Sequence, residues 1–278
     1  LILKIQFVLL EFMHMSLMVH WNPDPEIWPG VLPIRWYGLL FMSGFVLGYQ
    51  ILKRFWLTEN RRPEDLDDLA LYVGLGTILG ARLGHCLFYE PAYYLSHPLD
   101  ILKVWQGGLA SHGAAILIPL SLAIYVQRNP TYSFWWIIDR LVVVVALAGG
   151  LIRLGNLMNS EIVGAPTGLP WGFVFERLGE SFPRHPSQLY EAAFYFLTFF
   201  LLYRMHQRGP LLGKPGAMLG VFLVLVFGFR FGIEFIKADQ VAFEAGMVLN
   251  MGQRLSLPAI SLGLWLWLRP ANPAASKA

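Results

Sequence analysis

The segment LVVVVALAGGLIRLGNLMNSEIVG, residues 141–164, changes abruptly from apolar to polar. Its apolar half continues a run that begins at residue 133, so residues 133–153 reach the length of about 20 that a helix needs to cross a bilayer. Its second half brings an arginine, two asparagines and a glutamate into nine residues. We therefore predict a membrane-crossing helix that ends in a polar cluster.

The composition of the whole chain indicates a membrane protein. Hydrophobic residues make up 56% and charged residues 14% of the 278 residues, whereas about a quarter of the residues in a soluble domain are charged. Apolar runs long enough to cross a membrane occur at 35–56, 67–89, 108–127, 133–153, 186–204, 216–236 and 253–269. These runs predict an all-α integral membrane protein with seven transmembrane helices.

The distribution of basic residues predicts the orientation of these helices. The connections after the first, third and fifth predicted helices, together with the tail, carry most of the lysines and arginines. Because short cytoplasmic loops are enriched in basic residues, we expect the amino terminus outside and the carboxyl terminus in the cytoplasm. We expect residues 21–270 to form one seven-helix membrane domain, preceded by a non-native or upstream extension at 1–20 and followed by a disordered cytoplasmic tail at 271–278.

Several kinds of site are excluded by the sequence. The net charge is only +3 and the basic residues are scattered, which argues against nucleic acid as a partner. The single cysteine, Cys86, has no second cysteine with which to form an intrachain disulfide. The sequence contains no phosphate-binding P-loop, no nucleophile elbow and no zinc-binding histidine pair of the familiar spacings. We predict neither a metal nor a cofactor.

Small residues on the second predicted helix indicate close helix packing. Gly76, Gly80 and Gly84 are spaced four apart, so all three lie on one helix face. A face of this kind lets a neighbouring helix backbone approach closely. We predict that a second helix packs against it.

Polar residues collect at the outer ends of five predicted segments. Following the chain through the predicted topology brings them to one depth, where ionisable groups inside a membrane are costly and usually functional. They are Tyr37, His112, Arg153, Asn156, Glu161, His185, Gln188, Glu191, Arg230 and Glu234. We therefore predict a polar cavity that opens on the outer side of the membrane.

Most of these residues also have an ordinary structural explanation. Arg153 and Arg230 lie near helix ends, where arginines commonly reach lipid headgroups. Arg230 and Glu234 are four residues apart, which is the spacing of an ion pair on one helix face. Asn156 and Asn159 fit caps at the end of the fourth helix.

The combination of side chains nevertheless favours an anionic ligand. A guanidinium group presents a planar fork of donors that matches phosphate oxygens, and the cluster contains two arginines among amide and hydroxyl donors. In the outer leaflet, the available phosphate belongs to a phospholipid. A lipid or anion transporter is the alternative to an enzyme, since a basic cavity between helices would also serve permeation. The absence of repeated halves from the sequence argues against that alternative.

Five polar motifs occur in order along almost the whole chain. They are RWYGLLF, VWQGGLASHGAA, RLGNLMNSEIVG, RHPSQLYEA and FRFGIEFIKADQ, the last followed by MGQRLSLP. Together they resemble the motifs of a known enzyme family, the bacterial phosphatidylglycerol-prolipoprotein diacylglyceryl transferases, and the resemblance extends from Trp21 to Leu268. The resemblance implies a seven-helix enzyme of the bacterial inner membrane with its active-site cavity on the periplasmic side.

The resemblance also implies a reaction and its participants. The diacylglyceryl group of phosphatidylglycerol would pass to the lipobox cysteine thiol of a prolipoprotein signal peptide, forming a thioether and releasing glycerol 1-phosphate in the first step of lipoprotein maturation. Arg153 and Arg230 match the family's essential arginines. His112 matches the histidine proposed as the base, although a hydrogen-bonding role is equally open. The positions implied to bind substrate are Tyr37, Asn156, Asn159, Glu161, Gly164, His185, Gln188, Tyr190, Glu191 and Glu234.

Three positions depart from the family pattern. Ala114 follows His112 and Gly113, where relatives often carry a second glycine. Ser160 stands where glycine is more usual, directly before Glu161. Val226 stands four residues before Arg230, where a tyrosine is expected. The last departure puts a universal role for that tyrosine hydroxyl in question, while both arginines are retained.

Overall fold

A computed structural model describes residues 18–104, 107–108, 110–209, 214–238 and 246–270. The predicted tail 271–278 and most of the predicted extension 1–20 lie outside these ranges. The described part of the chain is mostly helical, and seven long helices occupy the positions of the seven predicted helical runs. They are α1 (Trp36–Thr58), α2 (Pro63–Phe88), α3 (Ser111–Arg128), α4 (Phe134–Met158), α5 (Ser187–Arg208), α6 (Ala217–Ile233) and α7 (Met251–Leu268).

Three helical segments combine the length and the apolar composition that a membrane crossing needs. They are α2, α4 and the segment Ala217–Ile236, in which α6 continues into a 3-10 turn. These segments have mean hydropathies of 1.3, 2.0 and 2.1. The chain is therefore a helical membrane protein. The number of crossings and their orientation stay predictions.

Helix ends follow local sequence signals. Pro63 occupies the first turn of α2, and Glu64 and Asp65 lie there too, where a carboxylate interacts favourably with the helix dipole. α7 begins with a capping box in which Asn250 and Gln253 exchange hydrogen bonds between side chains and backbone amides, at 2.9 and 3.1 Å.

Four short strands show that the prediction of an all-α chain was wrong in detail. β1 (Val19–Trp21) pairs in parallel with β4 (Phe173–Phe175), and β2 (Glu26–Trp28) pairs antiparallel with β3 (Leu32–Arg35). All three residues of β4 are buried. Buried backbone amides need partners, and neighbouring loop segments supply them by strand pairing. Strands of three or four residues leave too short a pattern to recognise in a sequence.

The described residues form two compact units. The central unit comprises Tyr49–Arg140, and the flanking unit comprises the chain on both sides of it. A single membrane domain over 21–270 stays a prediction.

In the central unit, α2 and α3 pack through small residues. A Cβ atom added to Gly80 would lie 2.7 Å from the carbonyl oxygen of Gly113, and one added to Gly84 would lie 2.7 Å from the Cα atom of Gly113. A Cβ atom at Gly76 would lie 2.7 Å from the Ser121 hydroxyl. The predicted packing role of the glycine series is confirmed. It fixes the first turn of α3, which carries His112.

The central unit also contains a buried ion pair. The Nε atom of Arg140 donates to Glu59 Oε1 at 2.9 Å, and its guanidinium lies 3.9 Å from the centroid of the Trp136 ring. The indole of Trp136 donates to Glu59 Oε2 at 3.1 Å. Arg140 thus joins Glu59 near the end of α1 to Trp136 in the first turn of α4.

In the flanking unit, a small core ties a loop to the end of α4. Leu157, Phe173 and Phe175 form this core, and the indole of Trp21 donates to the carbonyl of Leu157 at 2.9 Å. The loop 159–186 is thereby held against the last turn of α4. This turn carries the polar cluster predicted from the sequence.

Candidate active site

Arg153 lies in the last two turns of α4 and contacts two of the predicted site residues. Its Nε atom lies 3.2 Å from Glu191 Oε2, and its Nη1 atom donates to Asn156 Oδ1 at 3.2 Å. The side chains of Arg153 and Glu191 are 15% and 4% exposed. Since an arginine that reached lipid headgroups would not be held in this way, the contacts favour the site over the headgroup alternative.

The two asparagines converge on Glu161. The amide of Asn156 donates to Glu161 Oε1 at 2.9 Å, and the amide of Asn159 donates to the same oxygen at 3.1 Å. Asn156 therefore joins Arg153 to Glu161 through its two amide atoms. These contacts favour the predicted cluster over the helix-capping alternative.

The backbone on either side of Glu161 is strained. Ser160 and Ile162 have φ angles of 54° and 58°, in the left-handed region that glycine adopts most easily. A glycine would adopt this conformation more easily than Ser160, which agrees with the glycine that the family resemblance leads us to expect at this position. The side chains of α5 hold the strained loop, because Gln188 donates to the Glu161 carbonyl and Ser187 to the Ile162 carbonyl, both at 2.8 Å. Strain of this kind is commonly found where a side chain must be oriented for function.

Two buried carboxylates and three basic groups form a continuous series of ion pairs, which we call the charged chain. It runs Arg153, Glu191, Lys237, Glu234, Arg230. The Lys237 ammonium lies 3.6 Å from Glu191 Oε1 and 3.0 Å from Glu234 Oε1, and Arg230 Nε lies 3.6 Å from Glu234 Oε1. The charged chain brings the two predicted arginines into one cluster although they lie on different helices.

The inner members of the charged chain are buried and its Arg230 end is open. The side chains of Lys237, Glu191 and Glu234 are 3%, 4% and 4% exposed, whereas that of Arg230 is 39% exposed. Asn250 donates to the second oxygen of Glu234 at 3.0 Å. Among the described residues, Arg230 Nε has no hydrogen-bond acceptor despite its burial. The predicted pairing of Arg230 with Glu234 is thus present but loose.

Gly164 acts through backbone packing. A Cβ atom at this position would lie 2.5 Å from both the Cβ atom and the carbonyl oxygen of His185, and 2.9 Å from the Ile236 carbonyl oxygen. The segment around Gly164 pairs with the segment that carries Lys237, since Ala165 donates to Ile236 at 2.8 Å. Only a glycine lets these three backbone segments meet, so Gly164 positions the charged chain.

The Arg184–Glu180 ion pair in loop 159–186 also contacts the backbone of Gly164. Arg184 donates to the Gly164 carbonyl at 3.1 Å and to the two Glu180 oxygens at 2.5 and 2.6 Å. The hydrogen bond from Arg184 lowers the pKa of Glu180 below its ordinary value.

A small cleft between α5 and α6 lies beside the charged chain. It is lined by Glu191, Phe194, Tyr195, Val226, Phe229 and Arg230. The rings of Phe194 and Phe229 stack with their centroids 4.1 Å apart. The Tyr195 ring packs on Gly149, which lies one turn before Arg153 on α4. Val226 therefore lines the same cleft as Tyr195, a residue that carries a hydroxyl group.

Tyr37 reaches the cluster because α1 approaches α4 closely. A Cβ atom at Gly44 would lie 3.1 Å from the Ala148 Cβ atom, and one at Gly155 would lie 2.8 Å from the Tyr37 ring. Tyr37 thus packs on the turn of α4 between Arg153 and Asn156, as expected for a member of the site.

His185 and Tyr190 form an aromatic group at the start of α5. Nδ1 of His185 lies 3.5 Å from the Tyr190 hydroxyl, which accepts a hydrogen bond of 2.8 Å from the Trp171 indole. Neither residue is part of the charged chain. Their predicted contact with a substrate stays a prediction.

His112 belongs to the central unit. It lies in the first turn of α3, where its exposed side chain contacts the rings of Phe88 and Tyr89 at centroid distances of 5.3 and 5.6 Å. Arg82 holds the loop that precedes α3 by donating to the carbonyls of Asp100 and Gly107 at 2.6 and 2.7 Å. Because the His112 side chain is exposed, its ring is accessible for a proton-transfer or hydrogen-bonding role, and the choice between these roles stays open.

Comparison with known proteins decides the family. The prolipoprotein diacylglyceryl transferase family matches residues 26–269. This chain belongs to that family. It is therefore a transferase, and its apolar helices make it a membrane enzyme.

Curated relatives of this family match the chain along nearly their full length. A phosphatidylglycerol-prolipoprotein diacylglyceryl transferase of Tolumonas auensis is 49% identical over 259 residues, covering 93% of this chain and 100% of the relative. Proteins of the same name from Chloroherpeton thalassium and Porphyromonas gingivalis are 42% and 43% identical, covering 94% and 95% of this chain and 98% and 99% of the relatives.

Three residues at the candidate site were not predicted from the sequence. Lys237 was counted only as a loop charge, although it lies three residues after Glu234. Tyr195 lies four residues after Glu191, on the same face of α5. Asn250 carries a capping-box signal, which gives no indication of its second contact with Glu234.

Proposed function

We propose that this chain transfers the diacylglyceryl group of phosphatidylglycerol to the thiol of the lipobox cysteine in a prolipoprotein. The carbon–oxygen bond between the glyceryl group and the phosphate breaks, a carbon–sulfur bond forms, and glycerol 1-phosphate leaves with the bonding electrons. The observation that carries the proposal is the charged chain, whose ion pairs connect Arg153 with Arg230 in a member of this transferase family.

Arg153 and Arg230 are proposed to bind the phosphate. Negative charge grows on the phosphate oxygens as the carbon–oxygen bond breaks. A guanidinium group positioned in advance stabilises this charge, and such electrostatic stabilisation is commonly the largest contribution to catalysis. The partial exposure of Arg230 supports a role in receiving the headgroup, and the contacts of Arg153 with Glu191 and Asn156 support a fixed position.

Seven further polar residues are proposed to position the substrates around these arginines. They are Tyr37, Asn156, Asn159, Glu161, Gln188, Glu191 and Glu234. Gly164 contributes through the backbone, for the packing reason given above. His185 and Tyr190 are proposed to contact the lipid or the signal peptide.

His112 is proposed to assist loss of the thiol proton. A cysteine thiol has a pKa near 8.5, so only a small part of it is thiolate at neutral pH. An imidazole titrates close to the working pH and can accept that proton. The alternative is that nearby arginines favour the thiolate while His112 only donates a hydrogen bond.

The proposed setting is the bacterial inner membrane. Seven helices would cross it, with the amino terminus outside, the carboxyl terminus in the cytoplasm and the active site open to the periplasmic side. The charge bias of the connecting loops supports this orientation.

Product formation tests the proposal directly. Purified protein in detergent, supplied with phosphatidylglycerol and a lipobox peptide, is expected to yield a thioether-linked diacylglyceryl peptide detectable by mass spectrometry. Arg153→Ala is expected to abolish the product while the protein still folds, and Arg177→Ala, which changes an exposed loop arginine, is the matched control. Absence of product from the wild-type protein across lipids and pH values would contradict the proposal.

A substitution at His112 distinguishes its two possible roles. If His112 is the base, His112→Asn lowers turnover about 100-fold or more, the range for loss of a general base. If it is a hydrogen-bonding residue, asparagine retains activity, and the rate rises with pH as the thiol ionises by itself. The pH–rate profile of the variant is the measurement.

A further inference from the structure

Two basic groups compete for one oxygen atom of Glu234. The Lys237 ammonium lies 3.0 Å from Oε1, and Arg230 Nε lies 3.6 Å from the same atom. The other oxygen, Oε2, accepts a hydrogen bond from Asn250 at 3.0 Å. Each oxygen of Glu234 therefore has a closer partner than Arg230.

Lys237 is fixed in the position from which it competes. Its backbone follows a 3-10 turn that begins at Glu234. On one side of it the Ile236 carbonyl accepts from the Ala165 amide at 2.8 Å, and on the other the Ala238 amide donates to the Val163 carbonyl at 3.3 Å. Its side chain is only 3% exposed. A group buried in this way is poorly placed to contact a lipid itself.

The geometry points to Lys237 as a positioning residue that keeps Arg230 available for the anionic headgroup. By making the shorter contact with Glu234 Oε1, the ammonium weakens the ion pair of that carboxylate with the Arg230 guanidinium. Arg230 then keeps its Nε donor without an acceptor among the described residues, and its half-exposed side chain lines the cleft between α5 and α6. A buried Glu234 without Lys237 would instead take Arg230 as its partner, because a buried carboxylate requires compensation.

The charge balance agrees with this role. The charged chain, together with the Glu161 carboxylate that Asn156 joins to Arg153, contains three basic groups and three carboxylates. Without Lys237 the carboxylates would outnumber the basic groups three to two, so the attraction of the cluster for an anion would be weaker.

The kinetic test changes Lys237 alone. This inference rests on the proposed transfer from phosphatidylglycerol, so wild-type protein must first give product in the mixed-micelle assay. Lys237→Met is expected to raise the KM for phosphatidylglycerol about tenfold or more and to change kcat less, because apparent affinity falls with the fraction of molecules in which Arg230 is free. Lys237→Arg, which retains the charge, is expected to restore a KM within about threefold of wild type.

A double substitution separates competition from direct lipid binding and from misfolding. Lys237→Met with Glu234→Gln removes one positive and one negative charge, so the buried balance is kept. If Lys237 acts by occupying Glu234, the double variant has a KM close to that of Glu234→Gln alone. The inference is overturned if Lys237→Met raises KM equally whether residue 234 is glutamate or glutamine. It is also overturned if Lys237→Met alone has the KM of the wild type. Wild-type protein without product would instead overturn the proposed function.

Discussion

Arg82 in the central unit and Arg230 in the flanking unit are both arginines of apolar helices, yet their surroundings differ. Arg82 is 2% exposed and donates to the carbonyls of Ile101, Gly107 and Asp100 at 2.9, 2.7 and 2.6 Å. The side chain of Arg230 is 39% exposed, and its one ion pair has a separation of 3.6 Å.

The difference teaches which arginine is structural and which is available to a ligand. A guanidinium group has five N–H donors, and burial is tolerated when the protein satisfies them. Backbone carbonyls satisfy Arg82, so its contribution is to hold the loop before α3. Arg230 has an unpaired Nε atom and a half-exposed side chain beside a cleft, which agrees with the proposal that it binds the headgroup.

The largest expected effect contrasts these two arginines directly. Arg230→Met is expected to lower turnover about 100- to 1000-fold, the loss typical of one electrostatic donor, with little change in stability. Arg82→Met is expected to lower the free energy of unfolding by about 3 kcal/mol or more, since three hydrogen bonds from a buried guanidinium group to the loop before α3 are lost. Product assays and thermal unfolding in the same detergent measure both. Equal destabilisation by the two substitutions would remove the distinction.

A glycine pair in loop 159–186 sharpens the comparison by testing backbone placement. Gly164→Ala is expected to lower activity about 100-fold, because the new methyl group meets backbone atoms that cannot yield and Lys237 is displaced. Gly168→Ala is the control, since no atom lies within 4 Å of its added Cβ. The two alanine variants are purified in the same way and their activities are measured side by side. A fully active Gly164→Ala protein would show that the close packing has no effect on the site.

Tyr195 tests whether the cleft beside Arg230 is functional. Tyr195→Phe removes a hydroxyl group from a residue that lines the cleft together with Glu191 and Arg230, and it is expected to lower kcat/KM about tenfold, the value of one hydrogen bond to a charged group. Tyr49→Phe, which removes a hydroxyl bonded to Asp67 in the central unit, is expected to leave kcat/KM within twofold. If both variants keep wild-type kcat/KM, Tyr195 only fills space against Gly149.

The smallest expected effect concerns stability against pH. Because Arg184 depresses the pKa of Glu180, the pair stabilises the folded state above the unfolded pKa of about 4.3, and this contribution is lost as pH falls through the lower folded pKa. Thermal midpoints of wild type and Glu180→Gln should differ near pH 6 and converge near pH 3. A difference that is the same at both pH values would contradict the assignment.

The positions of the long helices could be predicted from the sequence because hydrophobic runs of bilayer length are a strong local signal. The run ending at Arg153 continues as helix to Met158, so even the polar end of α4 lies near its predicted place. The short strands could not be predicted, since their pairing depends on distant segments such as β1 and β4. Side-chain partners were harder still: Glu234 was expected beside Arg230, and its closer contacts are Lys237 and Asn250.

By itself the sequence determined that this chain is a helical membrane protein and that its five motifs resemble those of one transferase family. It did so because apolar run length and motif order are properties of neighbouring residues. Only the tertiary structure decided which charges neutralise one another and which stay available. Ion pairing depends on distances of a few ångströms between segments far apart in the chain, and in a buried site those distances determine whether an arginine supports the fold or is free to meet a phosphate.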